Sequence, residues 1–363
     1  MIGGPRDATA TASDHHGVSA TAESPVPAPT TAVPATGDPT TAILHWLWSR
    51  RYRSTTTTSA VWATVIAATL FALAMSLITD VDDPPLPVVA AVCNGLVLLG
   101  YLLPGGNYLW LRSGLDQVRT RGWRTVRARV LRAGRWTALV EVVDDSADPL
   151  VLSVRIDPAH LAMITDTAYL IRGRGRWAVL RVPGSREMFL AKVKPSSGNM
   201  STVDFSTVDV TARWAKSRRD AIFWLFGQLA VFLVAVLVVV AIAMPSQYLL
   251  VWWLVLVLLT GGGMAIGLRF RLSDVTLPEL VRAGEWVLAG AALSAWTARR
   301  DSTASATATL RFADGTVRTV VMPAAPVDLL AAITDSSSLW VNGSGSRVAV
   351  GFPGYPLLAV ART

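Results

Sequence analysis

The sequence predicts an α-helical integral membrane protein, with four spans paired as two hairpins and two small cytoplasmic mainly-β domains of one duplicated fold. Three observations predict it. The chain of 363 residues is 52% hydrophobic and only 16% charged, with a mean hydropathy of +0.43, where soluble domains carry about 25% charged residues. The apolar excess falls in blocks rather than evenly. The stretch after residue 45 can also be laid over itself in order, from Trp123 on Trp286 to Pro183-Gly184 on Pro353-Gly354.

Residues 1–42 are dominated by Ala, Thr, Pro and Ser, with few large apolar side chains. Such a segment cannot bury enough surface to offset its ordering entropy, so a flexible tail is expected. No apolar core of a signal peptide follows the start. The segment 43–111 opens on Ile43–Arg53, where aromatic rings alternate with Arg, an interfacial border. The apolar runs 59–79 and 86–103 follow, with Asp80, Asp82 and Asp83 between them. The second hairpin, 220–268, holds the runs 221–244 and 247–268. Each run is close to the ~20 residues that cross a bilayer, and none holds Asp, Glu, Lys, Arg or His.

The loops orient this layout. Arg50, Arg51 and Arg53 precede the first run, and Arg112, Arg119 and Arg121 follow the second. Arg213, Lys216, Arg218 and Arg219 precede the third, and Arg269 and Arg271 follow the fourth. All basic flanks fall on one side, which by the positive-inside rule is cytoplasmic. The expected location is the bacterial cytoplasmic membrane, multi-pass, with both termini inside. With one cysteine, Cys93, no intrachain disulfide can form.

The first β domain, 112–195, shows strand patterns at 123–132, 136–143 and 150–156. A short helix at 158–165 carries Leu161 and Ile164 on one face. Strands at 168–172, 177–182 and 187–193 complete it, before a linker at 196–219. The second β domain, 269–363, repeats the unit. PLVLSVRI (149–156) matches GTVRTVVM (315–322), and LAMITD (161–166) matches LAAITD (330–335). One hexapeptide would mean little in a chain this rich in Ala and Leu, but ordered matches beside matched apolar hairpins argue for duplication. Three strands, a helix and two or three strands are compatible with an OB-like or SH3-like barrel. Membrane spans joined to such a domain resemble the layout of the NfeD-like proteins. The duplication departs from that family's plan, and the resemblance assigns no functional residue.

Chemistry is sparse. The four histidines, His15, His16, His45 and His160, form no ligand pair at helical spacing, and no metal or other cofactor is expected. His160 faces Leu329 in the second copy, which suits a packing or surface role. Asp166 and Asp335 follow the apolar helical face and suit turn or capping chemistry. RGRGR (172–176) matches VNGSGS in the second copy, as a hairpin turn would. No phosphate loop or nucleophile elbow occurs.

The expected function is therefore non-enzymatic: two β modules presented at the inner membrane surface for binding or scaffolding. The alternative is an oligomeric transporter or channel component, with Asn94, Gln228 and Gly261 to Gly263 as its candidate polar and packing positions. The residues singled out for contact are basic. Arg124, Arg127, Arg129 and Arg132 lie in one strand, and Arg174 and Arg176 in a turn. The second copy has VLAGAALSAW at the place of the strand arginines. Expected partners are the lipid bilayer, anionic lipid head groups or another membrane protein, with a homo-oligomer in view. Nucleic acid is not expected, because no aromatic platform interleaves the arginines.

Overall fold

A computed structural model describes residues 24–31, 33–78, 111–134, 137–144, 149–172, 175–195, 202–243, 271–299 and 301–363, with the single positions 254, 258, 261, 262 and 269. Two closed six-stranded β-barrels organise it. Helix α1 (Pro39–Ile78) and helix α2 (Leu111–Thr120) precede the first barrel. That barrel contains β1 (Arg124–Ala133), β2 (Ala138–Val143) and β3 (Leu150–Val154), then the short helix α3 (Pro158–Ala162), then β4 (Thr167–Arg172), β5 (Trp177–Arg181) and β6 (Met188–Lys194). Helix α4 (Val210–Ala243) follows, and α5 (Leu277–Arg282) leads into the second barrel. There β7 (Trp286–Leu293), β8 (Thr303–Phe312) and β9 (Val317–Pro326) precede helix α6 (Val327–Ser336), and β10 (Ser338–Asn342), β11 (Arg347–Phe352) and β12 (Leu357–Arg362) follow it.

The strand order is β1-β2-β3-β6-β5-β4 in the first barrel and β7-β8-β9-β12-β11-β10 in the second, which is the same topology twice. Antiparallel pairing of β1 with β4, and of β7 with β10, closes each ring. This is consistent with the duplication. Strand boundaries in the first barrel lie within two residues of those expected, and the sixth strand is required for closure.

Alternation explains the strands. Val126, Ala128 and Val130 of β1 face the core, while Arg127 and Arg129 face outward. A bulge between Val130 and Arg132 then turns Leu131 inward as well. The repeated hexapeptide has a packing role. Leu161 and Ile164 enter the first core, and Leu330 and Ile333 enter the second. Helix α6, and α3 together with the turn after it, thus each seal one barrel with an i, i+3 apolar pair. Truncating such a buried Leu or Ile to Ala typically costs about 2–5 kcal/mol.

The four-span expectation is corrected: among the described residues, no helix is long and apolar enough to cross a membrane. The runs at 86–103 and 247–268 lie outside the described residues, apart from single positions. The runs read at 59–79 and 221–244 fall within α1 and α4. Both helices are continuous with polar, Arg-bearing halves. In α1 the hydroxyls of Thr56, Thr57 and Thr64 donate to carbonyls one turn back. Counting apolar letters measured composition and missed this continuity. The transmembrane, multi-pass reading and the cell-membrane location built on it fall with the spans.

The polar half of each helix packs on the barrels instead. Leu44, Leu47 and Trp48 of α1 and Leu111, Leu115 and Val118 of α2 form one cluster with Ile171, Val179 and Val327. Val210, Trp214 and Ala215 of α4 wedge between Ala159 and Ala162 of the first barrel and Ala349, Leu358 and Val360 of the second. Of the segment expected to be a flexible tail, residues 1–23 lie outside the described residues. Two points after these are tied down: Val26 joins the second core, and Ala35 N–H donates to Arg121 O at 2.9 Å. Asp38 then caps α1 by accepting from Thr41 N–H at 2.9 Å, ahead of Pro39 in the first turn.

Candidate functional site

Where the two barrels meet, a buried chain of polar side chains runs from α3 to α6. It begins with Asp157, the N-cap of α3, whose Oδ1 accepts from the backbone N–H groups of Ala159 (3.0 Å) and His160 (3.1 Å). The other oxygen of Asp157 faces His160 Nδ1. The His160 side chain is only 1% exposed. Its ring is held edge-on between Phe189 and Trp214, at centroid distances of 5.0 and 5.2 Å. His160 Nε2 lies 3.1 Å from Ser185 Oγ.

Ser185 follows the Pro183-Gly184 turn, and its hydroxyl is fully committed. It donates to Asp328 Oδ2 at 2.7 Å and accepts from Glu187 N–H at 3.0 Å. Asp328, in the first turn of α6, also accepts from Arg186 N–H at 2.7 Å, and its other oxygen lies 3.5 Å from Arg186 Nη1. Arg186 Nη2 pairs with Asp335, the last residue of LAAITD. Arg181 Nε donates to Ser185 O at 2.9 Å, and its Nη2 to Pro27 O at 3.1 Å. The first barrel thus supplies the cations and the hydroxyl, and the second barrel supplies two carboxylates.

The order Asp157, His160, Ser185 resembles a nucleophilic relay, but the protons are arranged against it. A hydroxyl has one proton and two acceptor sites. The Ser185 proton goes to Asp328, so His160 must donate through Nε2. Nδ1 faces a carboxylate and donates as well, which makes the ring an imidazolium. Burial opposes that charge, yet Asp157, then Glu187 and Asp328, hold the His160 pKa up at about 9. Burial likewise opposes ionisation of Asp157, and the imidazolium outweighs it, leaving the carboxyl below its ordinary range. An imidazolium has no lone pair to take a proton from Ser185, and Ser185 is itself fully buried.

This wall forms one side of a cleft of about 490 Å³, lined also by Arg51, Glu187, Arg218, Arg271 and Asp301. Its arginines are engaged. Arg51 donates to Ser302 Oγ at 2.9 Å, Arg218 donates to Asp274 Oδ2 from two nitrogens at 3.0 and 2.7 Å, and Arg271 pairs with Asp301 at 2.8 Å. Ser302 takes a left-handed conformation at φ 61°, a strained choice for a non-glycine residue at the cleft wall. Glu187 differs from its neighbours. Its side chain is 44% exposed and makes no hydrogen bond through its carboxylate among the described residues. Its nearest cation is His160 Nε2 at 3.6 Å. Partial loss of water at the cleft wall raises its pKa, against the pull of His160.

The arginines singled out from the sequence lie elsewhere. Arg124, Arg127, Arg129 and Arg132 are exposed on β1. Arg129 pairs with Glu141 on the neighbouring strand, and Arg124 lies 3.4 Å from Asp144. Arg176 sits over the Trp177 ring at 5.9 Å, and Arg174 lies outside the described residues. Of the two aspartates expected at turns or caps, Asp166 contributes a backbone carbonyl that accepts from Ala128 N–H at 2.7 Å, and the Asp335 side chain pairs with Arg186 instead. Sequence reasoning missed His160, Ser185, Arg186 and Asp328. The available signal was asymmetry: Asp157, His160 and Ser185-Arg186-Glu187 have no equivalents in the second copy.

Among the described residues, no group of three or more His, Cys, Asp and Glu side chains is placed to hold a metal ion. Comparison of the chain with protein-family models, with curated proteins and with solved structures yields no match.

Proposed function

We propose that the chain is a non-enzymatic binding protein, in which two barrels locked as one body take a small polar ligand into the cleft between them. One observation carries the reading: Glu187 presents a carboxylate with no hydrogen bond in a cleft whose other charges are already engaged. A ligand that brings an ammonium or another strong donor to Glu187 completes the set, and the engaged arginines hold the walls rigid. The cleft volume of about 490 Å³ lies in the range of small-molecule sites. The commitment of the Ser185 hydroxyl supports binding over acyl transfer.

The test uses the full chain. A fluorophosphonate probe, which labels a serine activated by a neutral histidine, should leave Ser185 unmodified in the mass spectrum. A panel of small amines and amino acids should contain compounds that raise the melting temperature of the wild type and not of Glu187→Gln. Labelling of Ser185 would replace the binding reading with a hydrolase. Equal shifts in the wild type and Glu187→Gln would remove the cleft as the site.

A further inference from the structure

A second groove, of about 630 Å³, lies behind the Asp157–His160 pair, where the end of β3 meets α4. We infer that it is a binding site for a phosphate group, carried by Arg155, Arg213 and Lys216. Arg213, Lys216, Asp220 and Trp224 follow one another at spacings of three and four along α4, so they share one helix face. Arg155 faces them from the loop after β3.

The charges in this groove differ in kind from those of the interbarrel cleft. Arg155 and Lys216 are exposed, and neither has a carboxylate partner among the described residues. Arg213 is stacked over the Phe205 ring at 5.6 Å, and its Nη1 is buried without a hydrogen-bond partner. A buried guanidinium nitrogen left unmatched is destabilising unless an acceptor arrives. The two carboxylates at the groove are matched from behind it, Asp157 by the His160 imidazolium and Asp220 by Arg219 at 3.7 Å. Three cations therefore face the groove without an anion of their own.

Three cations converging from two elements suit a tetrahedral oxyanion carrying more than one negative charge. Guanidinium forks bind such oxygens in pairs, and the Lys ammonium adds a point charge. Trp224, 42% exposed at the groove, offers an apolar face to the organic part of the ligand. The class is a phosphomonoester, either a free phosphorylated small molecule or the head group of phosphatidic acid.

The full chain at low ionic strength is titrated with inorganic phosphate and with phenyl phosphate, using chloride as control. In parallel it is mixed with vesicles of one part phosphatidic acid to four parts phosphatidylcholine, and with phosphatidylcholine alone. Arg155→Ser and Lys216→Ser lie on the surface and should melt with the wild type. Each should weaken phosphate binding by about tenfold or more, with the dependence on salt reduced in step. Tight binding of phenyl phosphate identifies a soluble ligand. Binding only to the phosphatidic acid vesicles, lost in both variants, identifies the lipid. The inference is overturned if neither phosphates nor acidic vesicles bind, or if binding survives both substitutions. It is independent of the interbarrel cleft, so Glu187→Gln should leave it unchanged.

Discussion

Replacing Asp328 by Ala should loosen the join between the barrels more than any other single surface-distant change in the network. The carboxylate accepts from Ser185 Oγ and from Arg186 N–H, each at 2.7 Å, and lies 3.5 Å from Arg186 Nη1. Its removal orphans two buried donors, at about 1–3 kcal/mol each. It also leaves Arg186, with a side chain 2% exposed, facing only Asp335. Breaking a buried ion pair by removing one partner costs about 3–5 kcal/mol, a figure that already includes the orphaned groups. The expected loss for Asp328→Ala is therefore about 3–5 kcal/mol. Asp335→Ala is the internal control, because that carboxylate is 51% exposed, and a solvent-screened pair is worth under about 1 kcal/mol. Urea unfolding of the full chain, followed by tryptophan fluorescence, measures both. Adding Arg186→Met to Asp328→Ala should recover part of the stability, since the buried guanidinium that lost its partner is then gone. The reasoning fails if Asp328→Ala is no more harmful than Asp335→Ala, or if Arg186→Met brings no recovery.

Stability should also depend on pH through His160. Its folded pKa of about 9 lies above the ordinary value of 6.5, so its contribution is complete below pH 6.5 and is lost as pH rises through 9. His160→Phe should flatten this alkaline slope in urea titrations, and a wild-type slope that persists in the variant would assign it to another group. At the two matched turns, Gly184 and Gly354 both have positive φ, of 73° and 86°. A Cβ at Gly184 would lie 2.6 Å from Met163 and 2.7 Å from the Tyr355 ring, whereas Gly354 has nothing within 4 Å. Gly184→Ala should therefore lose about 1–3 kcal/mol more than Gly354→Ala in thermal unfolding, and equal losses would show that Tyr355 moves aside freely. On β1, Arg127→Ser combined with Arg132→Ser should leave stability within about 0.5 kcal/mol. The same double variant should elute earlier from a heparin column at low salt, and unchanged elution would rule out this strand as an anion-facing surface.

Much of each barrel is legible in the residues. Period-two alternation in WRTVRARVL assigns Val126, Ala128 and Val130 to the core, because neighbouring residues in a strand point to opposite faces whatever lies beyond them. The hexapeptides are equally local. Leu330 and Ile333 sit three apart on a helix, Leu161 and Ile164 three apart across the end of one, and that spacing presents each pair to one side. The ordered matches between the copies carry the topology from one barrel to the other.

The apolar runs show where local pattern stops. Composition counts how apolar a stretch is, while the packing of a helix depends on what it is continuous with and what faces it. Trp214 and Ala215 sit between two barrels, in a helix whose later part has the composition of a span. The polar network lies further still from sequence reasoning. Ser185 and Asp328 are 143 positions apart, and nothing in either neighbourhood names the other. His160 looks like an ordinary core or surface residue until the fold brings Asp157, Ser185 and Glu187 around it. Strand faces and helix stripes follow from bond geometry over a few residues, so the sequence carries them unaided. The charge state of His160 and the free acceptor on Glu187 depend on groups that only the tertiary structure assembles, Asp157 and Glu187 from the first barrel and Asp328 from the second, where burial removes the water that would otherwise screen them.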